Sequence, residues 1–369
     1  MTAIPVTAIV PDGIDDPARP SGGNRYDRRV LDGMREIGVT VTERAVTGSW
    51  PHPDHAARRG LAGALAQVPA GSAALVDGLI ASGAADLVID AAGRVPLVVL
   101  VHMPFGPIEP ALAAGERAML TRVSGVVTTS EWTKNWLVQT YRVPAERVVV
   151  APPGADPAPV GRPDPAGTRL LCVAAVTRAK GLDVLLGALA RLTSDPGLAD
   201  SPWCCICVGS LEVDAGFARD LRRDIADRGL SDRMRLAGPA AGPRLDHWYA
   251  SADLLVLPSR AETWGLVVTE ALARALPVLA SRVGGVPEAL GRAADGQRPG
   301  LLVPAGDPLA LTEELRHWLT DSALRDRLRR AATDRRNALP GWQHSAGRLA
   351  DALSDSGSAR AGRWAASCR

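Results

Sequence analysis

Two glutamates stand eight positions apart in the apolar stretch "ETWGLVVTEAL", whose first residue is Glu262 and whose second acid is Glu270. The run "LLVLP" before it predicts a buried strand, and a helix is predicted to begin near Gly265. Glu262 is therefore expected in a loop at the carboxyl end of a strand, and Glu270 inside the following helix. Taken alone, the two acids fit an ordinary loop residue and an ordinary surface helix residue equally well.

The residues between the two acids add a third feature. The first N–H groups of a helix are unpaired and attract anions. Here those groups belong to Trp264, Gly265 and Leu266. An acid, an anion-binding turn and a second acid suit a ligand with hydroxyls at both ends and phosphate in the middle, which is the layout of a nucleotide sugar.

A lysine follows another predicted strand. Of the 42 basic residues only Lys134 and Lys180 are lysines, which makes Lys180 worth separate attention. Lys180 comes after the apolar run "RLLCVAAV" and is followed by Gly181 and a predicted helix. A cation at that position can balance a diphosphate, and Arg178 is a second candidate for the same role. A solvated pair of surface cations is the alternative for both.

Two features of the N-terminal half complete the set of candidates. Gly22 and Gly23 lie between the first predicted strand and a helix, where missing side chains let backbone approach a ligand, although an ordinary flexible loop explains them nearly as well. The segment "SGGNRYD" lacks the G-x-G-x-x-G fingerprint of dinucleotide-binding proteins. His102 ends the predicted strand "PLVVLVHM", where it could contact a sugar hydroxyl or relay a proton, or could be structural.

Composition narrows the class of protein. The chain of 369 residues has a formal charge of +2, which gives no electrostatic argument for a nucleic-acid partner. The cluster "WCCICVG" resembles a metal site, but its apolar setting favours a buried strand, and structural disulfides are not expected. The N-terminus lacks the pattern of a signal peptide, and no apolar run reaches the roughly 18 residues of a membrane span. We expect a soluble cytoplasmic protein.

Alternating strand and helix patterns predict an α/β fold with parallel sheets covered on both faces. In the first half, "AALVDGLIASGA" predicts a helix and "ADLVIDA" a strand. The segment "PPGADPAPVGRPDPAG" predicts a linker, after which the alternation restarts. The predicted boundaries are 1–155 for an N-terminal Rossmann-like domain, 156–168 for the linker, 169–338 for a second domain and 339–369 for a C-terminal helix that packs back towards the N-terminal domain and then frays.

Together these residues resemble the retaining glycosyltransferases of family 4 (glycosyltransferase group 1). The best match is "PSRAETWGLVVTEALARALPVLASRVGGVPEAL", with Glu262 and Glu270 as the paired glutamates and Lys180-Gly181 on the family's Lys-Gly. The resemblance covers most of the chain and is weaker before about Leu170. It implies the GT-B fold, in which two Rossmann-like doubly wound domains face a deep interdomain cleft. It also implies that the domain 1–155 is the acceptor side and that the domain 169–338 binds the nucleotide-sugar donor.

The resemblance also implies roles for the candidates. Glu270 would bind the nucleotide ribose, Glu262 a hydroxyl of the transferred sugar, and Lys180 the diphosphate, while His102 would touch the donor sugar. The remaining implied donor-binding residues are Gly22, Gly23, Arg178, Thr263, Trp264, Gly265 and Leu266. Transfer would proceed with retention, without an assigned protein nucleophile, a cofactor or a metal, since the sequence contains no Asp-x-Asp.

Two positions depart from the family pattern. Ala175 stands where relatives usually have an arginine, and Arg178 could supply that charge from another point. Ala275 stands where relatives often have a glycine, in the turn that leaves the donor-site helix. The first departure concerns the charge available to a diphosphate, and the second concerns the geometry of a turn.

The acceptor is not defined by the sequence. We expect a soluble small molecule, with a lipid or polysaccharide as the alternative. Four arginines on the first helix could meet an anionic acceptor or a membrane, but a solvated face is the simpler interpretation: Arg25, Arg28, Arg29 and Arg35. Three other functions compete: an inactive nucleotide-sugar-binding subunit, a nicotinamide-dependent oxidoreductase and a GT-B phosphorylase. The sequence does not indicate the oligomeric state.

Overall fold

The computed structural model describes residues 4–16, 21–198 and 201–367, with side chains of the last helix described as far as Gly357. The chain divides into two compact units, each built around its own parallel sheet. Unit 1 comprises residues 1–154 and 341–369, and unit 2 comprises residues 155–340. None of the described helices is both long enough and apolar enough to cross a membrane.

Unit 1 contains a sheet of six parallel strands in the order β2-β1-β3-β4-β5-β6. The strands are β1 (Val6–Pro11), β2 (Val41–Val46), β3 (Ala73–Asp77), β4 (Leu97–Val101), β5 (Gly125–Thr128) and β6 (Val148–Val150). The helices, numbered along the chain, are α1 (Gly22–Glu36), α2 (His55–Ala66), α3 (Gly78–Gly83), α4 (Ala85–Ala92), α5 (Pro110–Leu120), α6 (Glu131–Trp136) and the C-terminal α14 (Trp342–Ser367). A π-helical turn, Leu137–Tyr141, continues α6, and a short 3₁₀ turn covers Ala145–Arg147.

Unit 2 contains a second sheet of six parallel strands, in the order β12-β11-β10-β7-β8-β9. The strands are β7 (Arg169–Val173), β8 (Cys204–Val208), β9 (Met234–Gly238), β10 (Leu254–Leu257), β11 (Val278–Ser281) and β12 (Gly300–Val303). The helices are α7 (Leu182–Thr193), α8 (Ala215–Asp227), α9 (Gly242–Ser251), α10 (Leu266–Leu272), α11 (Val286–Leu290), α12 (Pro308–Thr320) and α13 (Ser322–Asn337), with a 3₁₀ turn at Arg178–Lys180.

Both sheets have the doubly wound topology that the sequence predicts. In unit 1 the chain adds β2 on one side of β1 and then β3 on the other, so the strand order reverses between β1 and β3. In unit 2 the reversal falls between β7 and β10. Ligands of open parallel sheets bind at the carboxyl ends of the strands at such reversals. The topology therefore marks one candidate edge in each unit.

The inner strands β3, β4, β5 and β10 are fully buried, as expected where helices cover both faces of a sheet, whereas the edge strands β2 and β9 are largely partly buried or exposed. In β3 and β4 every residue is buried, which accounts for their continuous apolar sequences. The cysteine-rich strand β8 follows the same logic: Cys205 and Cys207 are buried, Cys204 is partly buried, and the four described cysteines are free. Cys368 lies outside the described residues. The prediction of a buried strand is confirmed for this segment.

Two predictions in unit 1 are wrong. The segment "AALVDGLIASGA" is not one helix, since its first five residues form β3 and a helix begins only at Gly78. The side chain of Asp77 accepts hydrogen bonds from the N–H groups of Leu79 and Ile80, so it ends the strand and caps α3 at once. The segment "ADLVIDA" forms α4 instead of a strand. A short apolar run fits a buried strand and a buried helix equally well, so the sequence pattern alone does not distinguish between them.

The C-terminal helix α14 packs against α1 inside unit 1. Gly33 makes this contact possible, because a Cβ atom at that position would lie 2.8 Å from Cβ of Ala346. Trp342 also meets the ring of Tyr26 edge-on, with the ring centroids 5.7 Å apart. The helix that carries Gly22, Gly23 and Asp27 therefore packs beside α14, which itself contacts the strands β3 to β6.

Candidate functional site

Lys180 and Glu262 meet at the carboxyl edge of unit 2, where the strand order reverses. The Nζ atom of Lys180 lies 2.6 Å from Oε1 of Glu262, and the hydroxyl of Ser259 donates to the same oxygen at 2.9 Å. The Lys180 side chain is 31% exposed and the Glu262 side chain 12% exposed. The structure thus joins two residues 82 positions apart into one cluster that is partly open to solvent.

Close backbone contacts hold the two loops of this cluster together. Gly181 has φ +68°, and a Cβ atom there would lie 2.0 Å from the carbonyl oxygen of Pro258, so only glycine allows this approach. The N–H of Arg260 donates to the carbonyl of Ala179 at 2.8 Å. The guanidinium of Arg260 also forms a two-pronged ion pair with Asp183 at 2.7 and 2.8 Å. These contacts fix Lys180 beside Glu262.

A third loop, which follows β11, supports Glu262 from another side. Gly284 has φ +50°, and a Cβ atom at this position would lie 1.5 Å from the carbonyl oxygen of Glu262. The backbone therefore passes closer to Glu262 than any other residue type allows. Gly284 is a support for Glu262 that the sequence analysis did not identify.

Glu270 lies on α10 and is partly buried. The hydroxyl of Tyr249, a buried residue of α9, donates to Oε2 of Glu270 at 2.7 Å. The guanidinium of Arg274 stacks on the ring of Tyr249, with 4.6 Å to the ring centroid. The hydrogen bond from Tyr249 orients the Glu270 carboxylate, as expected for a group that binds a ligand.

The other predicted residues of unit 2 lie in or near these loops. The guanidinium of Arg178 stacks on Phe217 at 5.3 Å from the ring centroid. Gly265 adopts the left-handed conformation (φ +88°) and precedes α10, and the ring of Trp264 is buried in the core beneath it. Thr263 and Leu266 flank these two residues and are partly buried. Since α10 has only seven residues, anion binding by its first N–H groups stays a prediction from the family resemblance.

In unit 1, His102 lies next to two buried aspartates. Its Nε2 atom is 2.7 Å from Oδ1 of Asp27 on α1 and 3.4 Å from Oδ2 of Asp77 at the end of β3. The exposed fractions are 2% for Asp27 and 5% for Asp77. The three side chains meet at the edge of the sheet where the strand order reverses between β1 and β3.

The electrostatics of this cluster are unusual because it is buried. Burial raises the pKa of Asp27 to about 7, and Asp77 adds to that rise while His102 opposes it. Burial alone would lower the pKa of His102, but the attraction of Asp27 and Asp77 outweighs it and raises that pKa to about 10. The imidazole is therefore held in its charged form near neutral pH.

The predicted glycine-rich turn lies against this histidine. Gly22 is the first residue of α1, and Ser21 precedes it in an extended conformation. A Cβ atom on Gly23 would lie 3.3 Å from Cδ2 of His102. The structure thus brings Gly23 and His102 together, as two predicted site residues from distant parts of the sequence.

A buried glutamate fixes the loop that follows His102. The Glu116 carboxylate, 1% exposed, accepts hydrogen bonds from the N–H groups of Phe105 and Gly106 and from the hydroxyls of Ser82 and Tyr141. All of these bonds lie between 2.8 and 2.9 Å. The loop after β4 is consequently tied down at Phe105 and Gly106, three and four residues after His102.

The same three side chains are the set in unit 1 that could ligate a metal. Within the described part of the chain, Asp27, Asp77 and His102 form the one group of three His, Cys, Asp or Glu residues whose ligand atoms all lie within 4.8 Å of one another. Two carboxylates and an imidazole are common ligands of divalent cations. Metal binding at this cluster is therefore a chemical alternative that experiment has to separate from a proton-sharing cluster.

Of the four first-helix arginines, Arg28 and Arg35 form ion pairs with acidic residues of unit 1. Arg28 bonds Asp15 and Glu43, and Arg35 contacts Asp32 and Glu43. These pairs support a solvated, self-compensated face over a binding site for an anionic acceptor.

Sequence comparison places the chain in a family. Residues 162–335 match the family described as "Glycosyl transferases group 1", and residues 21–159 match "Glycosyltransferase Family 4". The chain is 32% identical over 260 residues to a D-inositol 3-phosphate glycosyltransferase of Catenulispora acidiphila, an alignment covering 66% of this chain and 60% of that protein. It is 34% identical over 264 residues to the D-inositol 3-phosphate glycosyltransferase of Thermobispora bispora, which covers 67% of this chain and 60% of the relative. The chain thus matches about 60% of the length of these curated relatives.

Solved structures share the fold at lower sequence identity. Alr3699/HepE from Anabaena, crystallised with UDP-glucose, matches with a TM-score of 0.77 and 17% identity, covering 95% of this chain and all of that one. WaaG, a glycosyltransferase involved in lipopolysaccharide biosynthesis, matches with a TM-score of 0.68 and 18% identity over 94% of this chain and 99% of that one. With its two doubly wound sheets and the two family matches, the chain belongs to the family 4 (group 1) glycosyltransferases and has the GT-B fold.

Proposed function

We propose that this protein is a retaining glycosyltransferase that moves a sugar from a nucleoside diphosphate sugar to a hydroxyl of a small-molecule acceptor. The observation that carries the proposal is the meeting of Lys180, Ser259 and Glu262 at the reversal of strand order in unit 2. Family membership supports the donor class. The relatives that are named for D-inositol 3-phosphate support a small polar acceptor.

In this proposal the donor spans the unit 2 cluster. The diphosphate lies at Lys180, the transferred sugar contacts Glu262, and the ribose hydroxyls bond Glu270. Because the Lys180 ammonium is bonded to Glu262, diphosphate binding requires it to share or exchange that partner. A preorganised cation beside a departing diphosphate stabilises the charge that develops on it, and this is the main catalytic contribution we assign to the unit.

Arg178, Thr263 and the N–H groups of Trp264, Gly265 and Leu266 are assigned secondary donor contacts. In unit 1, Gly22, Gly23 and His102 are assigned to the donor sugar. Transfer by positioning and charge stabilisation needs no covalent intermediate with the protein. We also propose that it needs no metal, and activity that is unchanged by EDTA is the expected result.

The proposal is tested with a panel of nucleotide sugars. UDP-glucose, UDP-N-acetylglucosamine, GDP-mannose and ADP-glucose are each scored by thermal shift and by slow donor hydrolysis, and then with inositol phosphates and simple polyols as acceptors. At least one nucleotide sugar is expected to raise the melting temperature and to be hydrolysed. Failure of every donor to stabilise the protein would contradict the proposal, and binding without hydrolysis or transfer would indicate an inactive binding subunit.

Variants assign the roles. Glu262→Gln is expected to abolish transfer while leaving nucleoside diphosphate binding nearly intact, and Glu270→Gln is expected to weaken that binding by about ten-fold, as for loss of a charged hydrogen bond. Glu313→Gln, a matched change on the exposed face of α12, serves as the control and should alter neither. The opposite pattern for Glu262 and Glu270 would show that the two roles are reversed.

A further inference from the structure

The cluster in unit 1 contains more negative than positive charge. Asp27 and Asp77 are both buried, and among the described residues His102 is the only cation that forms an ion pair with either of them. Two ionised carboxylates beside one imidazolium would leave a net negative charge in a buried site, which is costly. A neutral cluster requires one additional proton on the carboxylate pair.

An unpaired oxygen supports the same conclusion. Oδ1 of Asp27 bonds His102, but its Oδ2 atom is buried and has no hydrogen-bond partner in the described structure. A buried oxygen that cannot find a donor is destabilising by about 1–3 kcal/mol. The carboxylates of Asp27 and Asp77 meet at the same Nε2 atom, and their nearest ligand atoms lie within 4.8 Å of each other. Asp77 also raises the pKa of Asp27, so a proton shared by the two acids would give this oxygen a donor.

The neighbouring groups do not change this charge balance. Tyr26 meets the His102 ring edge-on, with the centroids 5.3 Å apart, and burial raises the pKa of its hydroxyl so that it stays neutral. The hydroxyl of Tyr26 donates to the carbonyl of Ala151 and is therefore turned to another partner. The ionisable side chains that contact one another in the cluster are thus Asp27 on α1, Asp77 at the end of β3 and His102 directly after β4.

The histidine has one nitrogen engaged and one available. Nε2 faces the aspartates, whereas Nδ1 has no hydrogen-bond partner among the described residues, and the side chain is 20% exposed. An imidazolium carries a proton on both nitrogens and can donate from each, but it cannot accept one. In the imidazolium, Nδ1 is then a fixed donor.

We propose that Asp27 and Asp77 are positioning residues that share one proton and hold His102 as an imidazolium whose Nδ1–H donates to an oxygen of the donor sugar. His102 then acts as a charged hydrogen-bond donor and not as a general base or proton relay. The identity of the oxygen rests on the proposed function, whereas the protonation state of the cluster does not. A divalent cation bound by the same three side chains is the competing arrangement, and it requires a neutral imidazole.

The protonation state can be measured directly. The full-length protein is labelled with ¹⁵N-histidine, and long-range ¹H–¹⁵N spectra are recorded from pH 6 to 9 in buffer with EDTA. The chain has six histidines, so His102→Gln identifies the His102 signals. Both His102 nitrogens are expected to be protonated at pH 8 in the wild type. The Asp27→Asn substitution is expected to lower the pKa of His102 by about two or more, which leaves its ring neutral at pH 8.

Controls keep the test independent of folding. Asp32→Asn makes the same change at an exposed position of α1 and should leave the His102 signals unchanged. Asp77→Asn gives a second variant, because asparagine still caps α3, and it should shift the His102 pKa down as well. Circular dichroism and melting temperatures establish that each variant is folded.

Three results would overturn the inference. The first is a pKa of about 6.5, the ordinary value, for His102 in the wild type. The second is a His102 ring that stays doubly protonated at pH 8 in the Asp27→Asn variant. The third is a change in the His102 ring signals when EDTA is omitted and Mg²⁺, Mn²⁺ or Zn²⁺ is added. Addition of a nucleotide sugar should shift the Nδ1–H signal. If the donor binds by calorimetry and that signal stays in place, the sugar contact is wrong. If no donor binds, the proposed function fails while the protonation result stands.

Discussion

Replacing Gly284 by alanine should strongly lower the rate of sugar transfer, although the substitution changes no side chain that is assigned to the donor. A Cβ atom at this position would lie 1.5 Å from the carbonyl oxygen of Glu262, and contacts below 3.0 Å are essentially never seen for real Cβ atoms. The two backbone segments must therefore separate by at least about 1.5 Å, since a packed interior offers no free space. The loop after β11 is itself anchored, because Arg282 bonds the carbonyl of Val303 and Val286 bonds that of Val283. Much of the displacement should consequently fall on Glu262.

The size of the effect follows from that displacement. A shift of about 1 Å in a positioned catalytic group can cost about 100-fold in rate. We expect Gly284→Ala to lower the transfer rate by about 100-fold or more, while affinity for the nucleoside diphosphate changes by less than about five-fold, because Glu270 lies on α10, outside the displaced loop. The assay is the initial rate of diphosphate release at saturating donor, together with calorimetry of the nucleoside diphosphate.

The chain offers a matched control. Gly296 also has a positive φ, +83°, but nothing lies within 4 Å of a Cβ atom placed there. Gly296→Ala therefore shares the left-handed strain of about 1–2 kcal/mol without the collision, and should lower the melting temperature by about 2–4 °C per kcal/mol at nearly normal rate. If Gly284→Ala is folded at the assay temperature and turns over within about three-fold of Gly296→Ala, the claim that Gly284 positions Glu262 is wrong.

Three other predictions concern single contacts. Tyr249→Phe removes the hydroxyl that donates to Glu270 and should weaken nucleoside diphosphate binding by about five- to ten-fold in calorimetry; unchanged affinity would show that Glu270 needs no such support. Ala275 has φ +57°, a conformation that favours glycine, so Ala275→Gly should raise the free energy of unfolding in urea by about 1 kcal/mol, and a loss of stability would contradict this. Because the pKa of His102 is raised to about 10, its charged form stabilises the fold; this contribution is full below about pH 6.5 and is lost as the pH rises through about 10. The melting temperature of the wild type should therefore fall more steeply than that of His102→Gln between pH 6.5 and 10, and equal slopes would refute the assignment.

The sequence predicted most elements because the apolar runs were long or strictly bounded. The strand before Glu262 and the helix after it lie where the pattern indicated, as β10 and α10. The strand Ala73–Asp77 was assigned as helix and the helix Ala85–Ala92 as strand, since short buried runs carry no period that separates strand from helix. That error had a consequence for the site. With "AALVDGLIASGA" taken as a helix, Asp77 was not recognised as the end of a strand beside His102.

The sequence also could not predict which residues contact the predicted site residues. Lys180 and Glu262 were both candidates, but their direct bond depends on β7 and β10 being neighbours, which is a property of strand order. Gly284 could not be distinguished from other glycines without knowing which carbonyl it faces. The sequence analysis did not identify Asp27 as a site residue, because an acid on an arginine-rich helix is expected at the surface, whereas Asp27 is buried.

A crystal structure of the protein with a bound nucleotide sugar tests the central claim most directly. The account predicts that the ribose hydroxyls bond the Glu270 carboxylate, that a diphosphate oxygen bonds Nζ of Lys180, and that the transferred sugar contacts Glu262. A donor bound with its ribose away from Glu270 and its diphosphate away from Lys180 would contradict the account.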